Sequence, residues 1–389
     1  MSNMKTELTS VDVFVLAKEL NKILNYARID KVYQIAEREL IIRFYSQKTE
    51  LRDFIIAPNY ICVTKFSKEI PEQPTSFAMQ LRKNLSGLFI KEVLQHEFDR
   101  IVEIGFGRED ITHILFIELF SKGNVILCDK DGRILGLLER QKWKDRTLRV
   151  GLEYEYPPKT ANPRQIGIER LKEVFKNSKK NLVKTLAVDF GLGGFYAEEI
   201  CLSTEHSFDK NPNDLSESEI KTIYESIHGI FQKIENDQIK PQIIYDQDKN
   251  MIHVSPLDSN TYKDSDKKYF TSFNEAIDEY FSSQDFTKTV STAKKNAEAK
   301  REKIELIKKQ QEETITKLEK DSERYQKIGD QIYQNNQIIE KIVNSIESAR
   351  KKGLTDKEII EKFREGAEKG IKEAKFVKSL NKNELVLDL

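Results

Sequence analysis

Cysteine is scarce in this sequence, and the three present, Cys62, Cys128 and Cys201, stand far apart with no Cys-x-x-Cys pair. That spacing excludes a cysteine-built zinc site and a disulfide framework, and it fits reduced side chains in a cytoplasmic protein. Long apolar runs are missing as well. None approaches the roughly 20 residues that cross a bilayer, so no membrane span is expected. Net charge is absent because 64 basic residues balance 64 acidic ones. A neutral total removes the global signature of a nucleic-acid binder but leaves local basic patches open. The five histidines form neither an HxxxH nor an HExxH pair, and no GxSxG or P-loop pattern occurs. Hydrolytic zinc and phosphate-loop chemistry therefore have no support, and no metal or cofactor is expected.

What is present is patterned. At 389 residues, 33% of them charged, the chain has the length of two or three domains. Thr9 and Ser10 offer caps for a first helix running to about Tyr26, with Val13, Leu16, Leu20 and Leu24 at core spacing. Asp12 falls in its first turn, where an acid favours the positive helix end. Short alternating runs then predict strands over 29–35, 40–45, 54–57 and 60–64, with turns at Gln47-Lys48 and Pro58-Asn59. Pro74, Thr75 and Ser76 announce a second helix carrying Phe77, Leu81 and Leu85 on one face, with Arg82 and Lys83 elsewhere, and Gly87 stops it. Further strands are expected over 89–94, 101–106, 113–119, 124–128 and 134–138. Asp99-Arg100 sits at the bend before one of them, an acid and a base able to brace a corner or grip a polar ligand. Helix, strands, helix and strands make an α+β domain over residues 4–164.

Five basic residues, Arg140, Lys142, Lys144, Arg146 and Arg149, surround Trp143, the chain's one tryptophan. Basic side chains neutralise phosphates and an exposed indole stacks on a base; the alternative is a solvated hairpin with the indole packed inward. Residues 165–240 read as helix, Gly191-Leu192-Gly193 hairpin and helix, the pattern of a helix-hairpin-helix module whose backbone N–H groups meet one phosphate, with Lys184 adding charge. Residues 241–284 predict a hairpin and a connecting helix that returns to the first domain. Over 285–352 the composition turns Lys/Glu/Gln-rich. A heptad seam there links Ile304, Ile307, Leu318, Tyr325, Ile328, Ile332, Ile339, Ile342 and Ile346, with polar breaks including Asn335. So polar a seam should want a partner helix, which leads to the expectation of a homodimer through it. Residues 353–389 predict a capped helix and a strand over 384–389.

Several of these stretches together resemble the NFACT family of NEMF- and RqcH-like ribosome quality control proteins. The resemblance rests on SVDVFVLAKEL in the first helix, the proline-led Leu81-Arg82-Lys83 helix, Gln95, Asp99-Arg100-Ile101, the domain exit GLEYEYPP and the segment GLGGFYAEEIC. It implies an NFACT-N domain of glycosylase-like layout, then a helix-hairpin-helix module and a long coiled-coil helix. It also implies binding to a large ribosomal subunit carrying stalled peptidyl-tRNA, and recruitment of tRNA for template-independent tailing of the nascent chain. Asp12, Asp99 and Arg100 would contact tRNA, with Arg82, Lys83, Arg140, Lys142, Trp143, Lys144, Arg146, Arg149, Lys184, Gly191 and Gly193 as further nucleic-acid contacts. The family's returning helix and NFACT-R domain are not in the sequence, which leads to the expectation of a fragment of a longer protein. Two other readings compete. A DNA-glycosylase-like enzyme would need an N-terminal proline amine, and the first proline is Pro58. An adhesin would be expected to carry a signal or an anchor.

Overall fold

The structure, a computed structural model, describes residues 4–46, 50–144, 146–158, 161–382 and 384–389, apart from the side chains of 283–300 and 302. The turn expected at Gln47-Lys48 lies outside the described residues. Two compact units divide between Thr289 and Val290.

In the first unit, α1 (Ser10–Leu24) opens with a capping box. The Thr9 hydroxyl accepts from the Asp12 backbone N–H, and the Asp12 carboxylate accepts from the Thr9 N–H. Its apolar face, including Val13, Leu16, Leu20 and Leu24, is fully buried. Beside it runs a nine-stranded sheet of order β4-β3-β2-β1-β5-β6-β7-β8-β9. The strands are β1 (Arg28–Ala36), β2 (Glu39–Tyr45), β3 (Leu51–Ile56), β4 (Ile61–Thr64), β5 (Phe89–Gln95), β6 (Ile101–Gly107), β7 (Ile111–Glu118), β8 (Asn124–Asp129) and β9 (Ile134–Leu137). Two antiparallel meanders, β1–β4 and β5–β9, meet through the Arg28–Phe89 pair, and α2 (Ser76–Leu85) connects them. A small hairpin follows, β10 (Gln141–Lys142) with β11 (Thr147–Leu148).

Helical elements come next: α3 (Ile168–Asn177), the short α4 (Leu182–Lys184) running into a π-helical turn at Thr185–Asp189, α5 (Gly193–Ser203) and α6 (Glu217–Glu235). A three-stranded sheet, β13 (Met251–Ser255), β12 (Gln242–Tyr245) and β14 (Asp266–Tyr269), precedes α7 (Phe273–Gln334). Two neighbouring residues of α1 fasten two helix ends. The Lys18 ammonium donates to the Ile234 and Glu235 carbonyls at the C-terminus of α6. The Glu19 carboxylate accepts the Phe273 and Asn274 N–H groups at the start of α7, at 2.9 and 2.7 Å. Each charge sits where the helix dipole favours it. Asn274 in turn bonds both backbone groups of Val63, so α7 covers the open edge of β4, where unpaired strand groups would otherwise invite another chain.

His253 on β13 is buried, and its Nε2 has no hydrogen-bond partner among the described residues. Burial, with the nearby Lys5 charge adding to it, pulls its pKa down to about 2. An unfolded histidine protonates near pH ~6.5, so between those values the unfolded chain holds the extra proton and stability rises with pH. Below that unfolded value the loss is about 1.4 kcal/mol per pH unit. Thermal unfolding at pH 7 and pH 5.5 is expected to show a drop that His253→Phe largely removes. An equal drop in the variant would assign the effect to other groups.

The second unit is built by the last part of α7, α8 (Asn336–Lys351), α9 (Asp356–Glu368), β15 (Val377–Asn381) and β16 (Glu384–Leu387). Here the single coiled-coil helix expected over 285–352 is corrected: the helix is divided at Asn335, one of the expected polar breaks. Helix α7 ends at Gln334, and Asn335 leaves helical geometry at φ −102°, ψ 17°. Beyond it, Ile342 and Ile346 are buried with Ile359 and Leu380 inside the unit. That part of the apolar stripe already has its partner in the same chain. Before the break, Ile304, Ile307, Leu318, Tyr325, Ile328 and Ile332 are exposed. The strand expected at 384–389 pairs with β15, which periodicity did not announce. Among the described residues no helix is long and apolar enough to cross a membrane.

Candidate functional site

Three segments distant in sequence converge on one open cavity of about 400 Å³ in the first unit. One is the approach to α1, Glu7 to Ser10. Another is the Asp99-Arg100 corner between β5 and β6. The last is the glycine turn that enters α5, Gly191, Gly193 and Gly194, and Phe120, Pro157, Pro158 and Ala187 also line the cavity.

The corner is held from both sides. The Gln95 side-chain amide donates to the Ser10 carbonyl at 2.9 Å and to the Asp99 carbonyl at 2.8 Å. The Asp99 N–H closes a turn onto the His96 carbonyl, and the Arg100 carbonyl accepts from the Leu119 N–H. On the far side of the turn, His96 and Tyr156 stack at 3.5 Å between ring centres, and both bond the Glu103 carboxylate. With its backbone fixed this way, the corner places the Asp99 and Arg100 side chains at the cavity. The Arg100 guanidinium, about a quarter exposed, pairs with Glu7 at 2.8 Å.

The opposite wall is the glycine turn. Gly191 and Gly193 adopt φ of +64° and +80°, a region that side-chain-bearing residues rarely enter. At Gly193 a methyl group would also stand 3.1 Å from the Thr9 side chain, so the turn closes directly on the cap of α1. Among the described residues no side chain caps α5, and its first two residues line the cavity. An uncapped helix start leaves N–H donors and a partial positive charge for an incoming anion. With Arg100 opposite, the cavity combines a fixed guanidinium, backbone donors and the carboxylates of Glu7 and Asp99. This arrangement suits a phosphodiester flanked by hydroxyl or amino donors.

Asp12 does not meet the cavity as the direct contact expected from sequence. It is fully buried. Its Oδ2 accepts from the Thr9 N–H and hydroxyl, both at 2.8 Å, and pairs with the Lys5 ammonium at 2.7 Å. Its Oδ1 accepts from the Tyr196 hydroxyl at 3.1 Å. Burial holds the Lys5 pKa below its ordinary value against the opposing pull of Asp12, and burial lifts the Tyr196 phenol well above its own. Asp12 therefore ties the start of α1 to α5, and with them two walls of the cavity.

The basic run before the domain exit forms the β10–β11 hairpin. Arg140, Lys142, Lys144 and Arg149 are exposed, and Trp143 is 41% exposed. Arg146 departs from the expectation of a nucleic-acid contact. It is buried, ion-paired with the buried Glu118, and its guanidinium lies 4.8 Å from the Trp143 ring centre and 5.5 Å from that of Tyr154. Glu118 also accepts from the Tyr154 hydroxyl, and burial, opposed by Arg146, raises its pKa. Arg146 is the hairpin's anchor. Elsewhere, Arg82 donates to the Val32 carbonyl at 2.7 Å and stacks on Tyr33, while Lys83 and Lys184 are exposed; none of the three lines the cavity.

Sequence reasoning missed Glu7, Lys5 and Tyr196, and it noted Gln95 without a role. Only Gln95 carried a usable signal, its position four residues before Asp99. Lys5 and Tyr196 reach Asp12 through the tertiary fold, which no local pattern reports.

A family model described as the NFACT N-terminal and middle domains matches residues 9–372. An archaeal Rqc2 homolog, aRqcH of Methanocaldococcus jannaschii, is 37% identical over 361 residues, covering 90% of this chain and 53% of the relative. The human ribosome quality control complex subunit NEMF is 25% identical over 372 residues, covering 89% of this chain and 34% of that protein. The chain thus spans about half, or less, of the length of these relatives. Among solved structures, the fibrinogen binding protein from Staphylococcus aureus superposes with a TM-score of 0.58 at 19% identity, covering 70% of this chain and 98% of that one. At that identity the likeness concerns the fold.

Proposed function

The chain belongs to the NFACT family, and from that premise we propose that it serves ribosome quality control as a tRNA-positioning factor. In this reading it binds a large ribosomal subunit carrying stalled peptidyl-tRNA and holds tRNA there while the nascent chain is extended at its C-terminus without a template. Peptide bonds form in the ribosome's own centre, so the chain contributes placement, not chemistry. Its relatives named as Rqc2 and NEMF homologs support the process. The observation that carries the RNA contact is the cavity joining Asp99 and Arg100 to the uncapped start of α5. On binding, a phosphate takes the place of Glu7 beside Arg100, and Asp99 accepts from ribose hydroxyl or base amino groups. Asp12 acts at one remove, by keeping α1 and α5 together.

The test is RNA crosslinking in cells followed by purification, comparing wild type with the Asp99→Ala/Arg100→Ala double variant. Losing charge-assisted bonds of about 1.5–3 kcal/mol each is expected to lower recovered tRNA roughly tenfold or more. The Arg100–Glu7 pair is half-exposed and contributes under about 1 kcal/mol to folding, so the variant should stay folded and the loss should report binding. Equal tRNA recovery from both proteins would remove Asp99 and Arg100 from the site.

A further inference from the structure

The β10–β11 hairpin has features that the cavity does not use. It carries four exposed cations, Lys142 and Lys144 towards its tip and Arg140 and Arg149 at its base, and none of them enters an ion pair among the described residues. Between them Trp143 leaves about two-fifths of its surface in solvent. The indole is not loose. Arg146 lies against its ring, and Arg146 is itself locked to Glu118 in the interior. The turn is closed by the Trp143 N–H donating to the Arg146 carbonyl at 2.8 Å. An aromatic ring backed by a fixed guanidinium and flanked by exposed cations is pre-organised for a flat, electron-rich partner with negative charge on either side.

We propose that this hairpin is a second RNA-contacting element that takes an unpaired nucleotide. The base stacks on the exposed part of Trp143, and the flanking phosphates lie against Lys142, Lys144, Arg140 and Arg149. The partner is single-stranded RNA, or the loop or end of a folded RNA, because base faces inside a duplex are already stacked and out of reach of an indole. Stacking tolerates any base, so the element adds affinity and orientation with little sequence preference. An anionic membrane would also attract the cations, but one indole offers it little apolar area to bury. The inference stands whether or not the cavity holds tRNA.

Trp143 is the chain's one tryptophan, so intrinsic fluorescence reports this position alone. The whole chain is titrated with a ten-nucleotide oligoadenylate. Saturable quenching is expected, with affinity falling steeply as salt rises. A blunt RNA duplex of equal length should quench far less, and heparin should bind without quenching. Lys142→Ala/Lys144→Ala should weaken binding at least tenfold while leaving the quench at saturation unchanged. Trp143→Phe, followed by the anisotropy of labelled RNA, should weaken it about fivefold or more, in line with the loss of a stacked base. The Asp99→Ala/Arg100→Ala variant should quench like wild type, which separates this element from the cavity. Absence of quenching, equal quenching by the duplex, or a blue shift on anionic vesicles stronger than the response to RNA would each overturn the proposal.

Discussion

Replacing Asp12 by alanine is expected to destabilise the first unit by about 3–5 kcal/mol, because it strands the Lys5 ammonium in the interior with its counter-charge gone. Lys5 and Asp12 are 5% and 0% exposed at their side chains, so water cannot take over the lost partner. The same change removes the carboxylate half of the α1 capping box and the acceptor of the Tyr196 hydroxyl. Domains of this size are stable by about 5–15 kcal/mol, so the loss is a large fraction of the whole. Thermal unfolding should fall by on the order of 10 °C. The double variant Lys5→Met/Asp12→Leu should recover a substantial part of it, since removing both charges leaves neither unpaired. If Asp12→Ala instead unfolds like wild type while RNA binding is lost, Asp12 acts as a contact and not as a brace.

Arg146→Ala is the second large effect, again about 3–5 kcal/mol, because Glu118 is left 1% exposed without its cation. Burial already raises the Glu118 pKa, and Arg146 is what opposes that rise. With Arg146 removed, the folded-state value climbs further above the unfolded one. Stability associated with such a carboxyl is complete below its unfolded pKa and is lost as pH rises through the folded one. The deficit relative to wild type should therefore be larger at pH 8 than at pH 5, which thermal unfolding at the two pH values checks. A red shift of Trp143 emission should accompany it as the ring loses its backing. A deficit independent of pH would mean that the pair contributes through packing alone.

These two residues also mark where sequence reading ran out. Strand alternation placed all nine strands of the main sheet to within a few residues, and the caps at Thr9 and Thr75 located α1 and α2, because both signals are local and repeat. Asp12 in a first turn looks the same whether it serves only its helix or also a lysine and a tyrosine brought in by the fold. Arg146 sits among four other basic residues of the hairpin, and only the position of Glu118 on β7 singles it out. Ile342 and Ile346 continue the heptad spacing without a break, yet they pack on α9 and the β15–β16 hairpin. Periodicity reports that a face will be covered but not by what. The Asp99-Arg100 corner and the Gly191-Leu192-Gly193 turn were both visible as short motifs. Their meeting at one cavity with the segment before α1 was not, because it depends on how far-apart parts of the chain are brought together.

The Gln95 side chain spans from the first residue of α1 to the Asp99 carbonyl, and Asp12 links that same helix start to α5. The three walls of the cavity are therefore tethered to a single point, like struts meeting at a hub. A ligand pulling on any wall loads the other two, so the cavity should breathe as a whole and not wall by wall. Amide exchange in these three segments should slow together, and by similar factors, when RNA is bound.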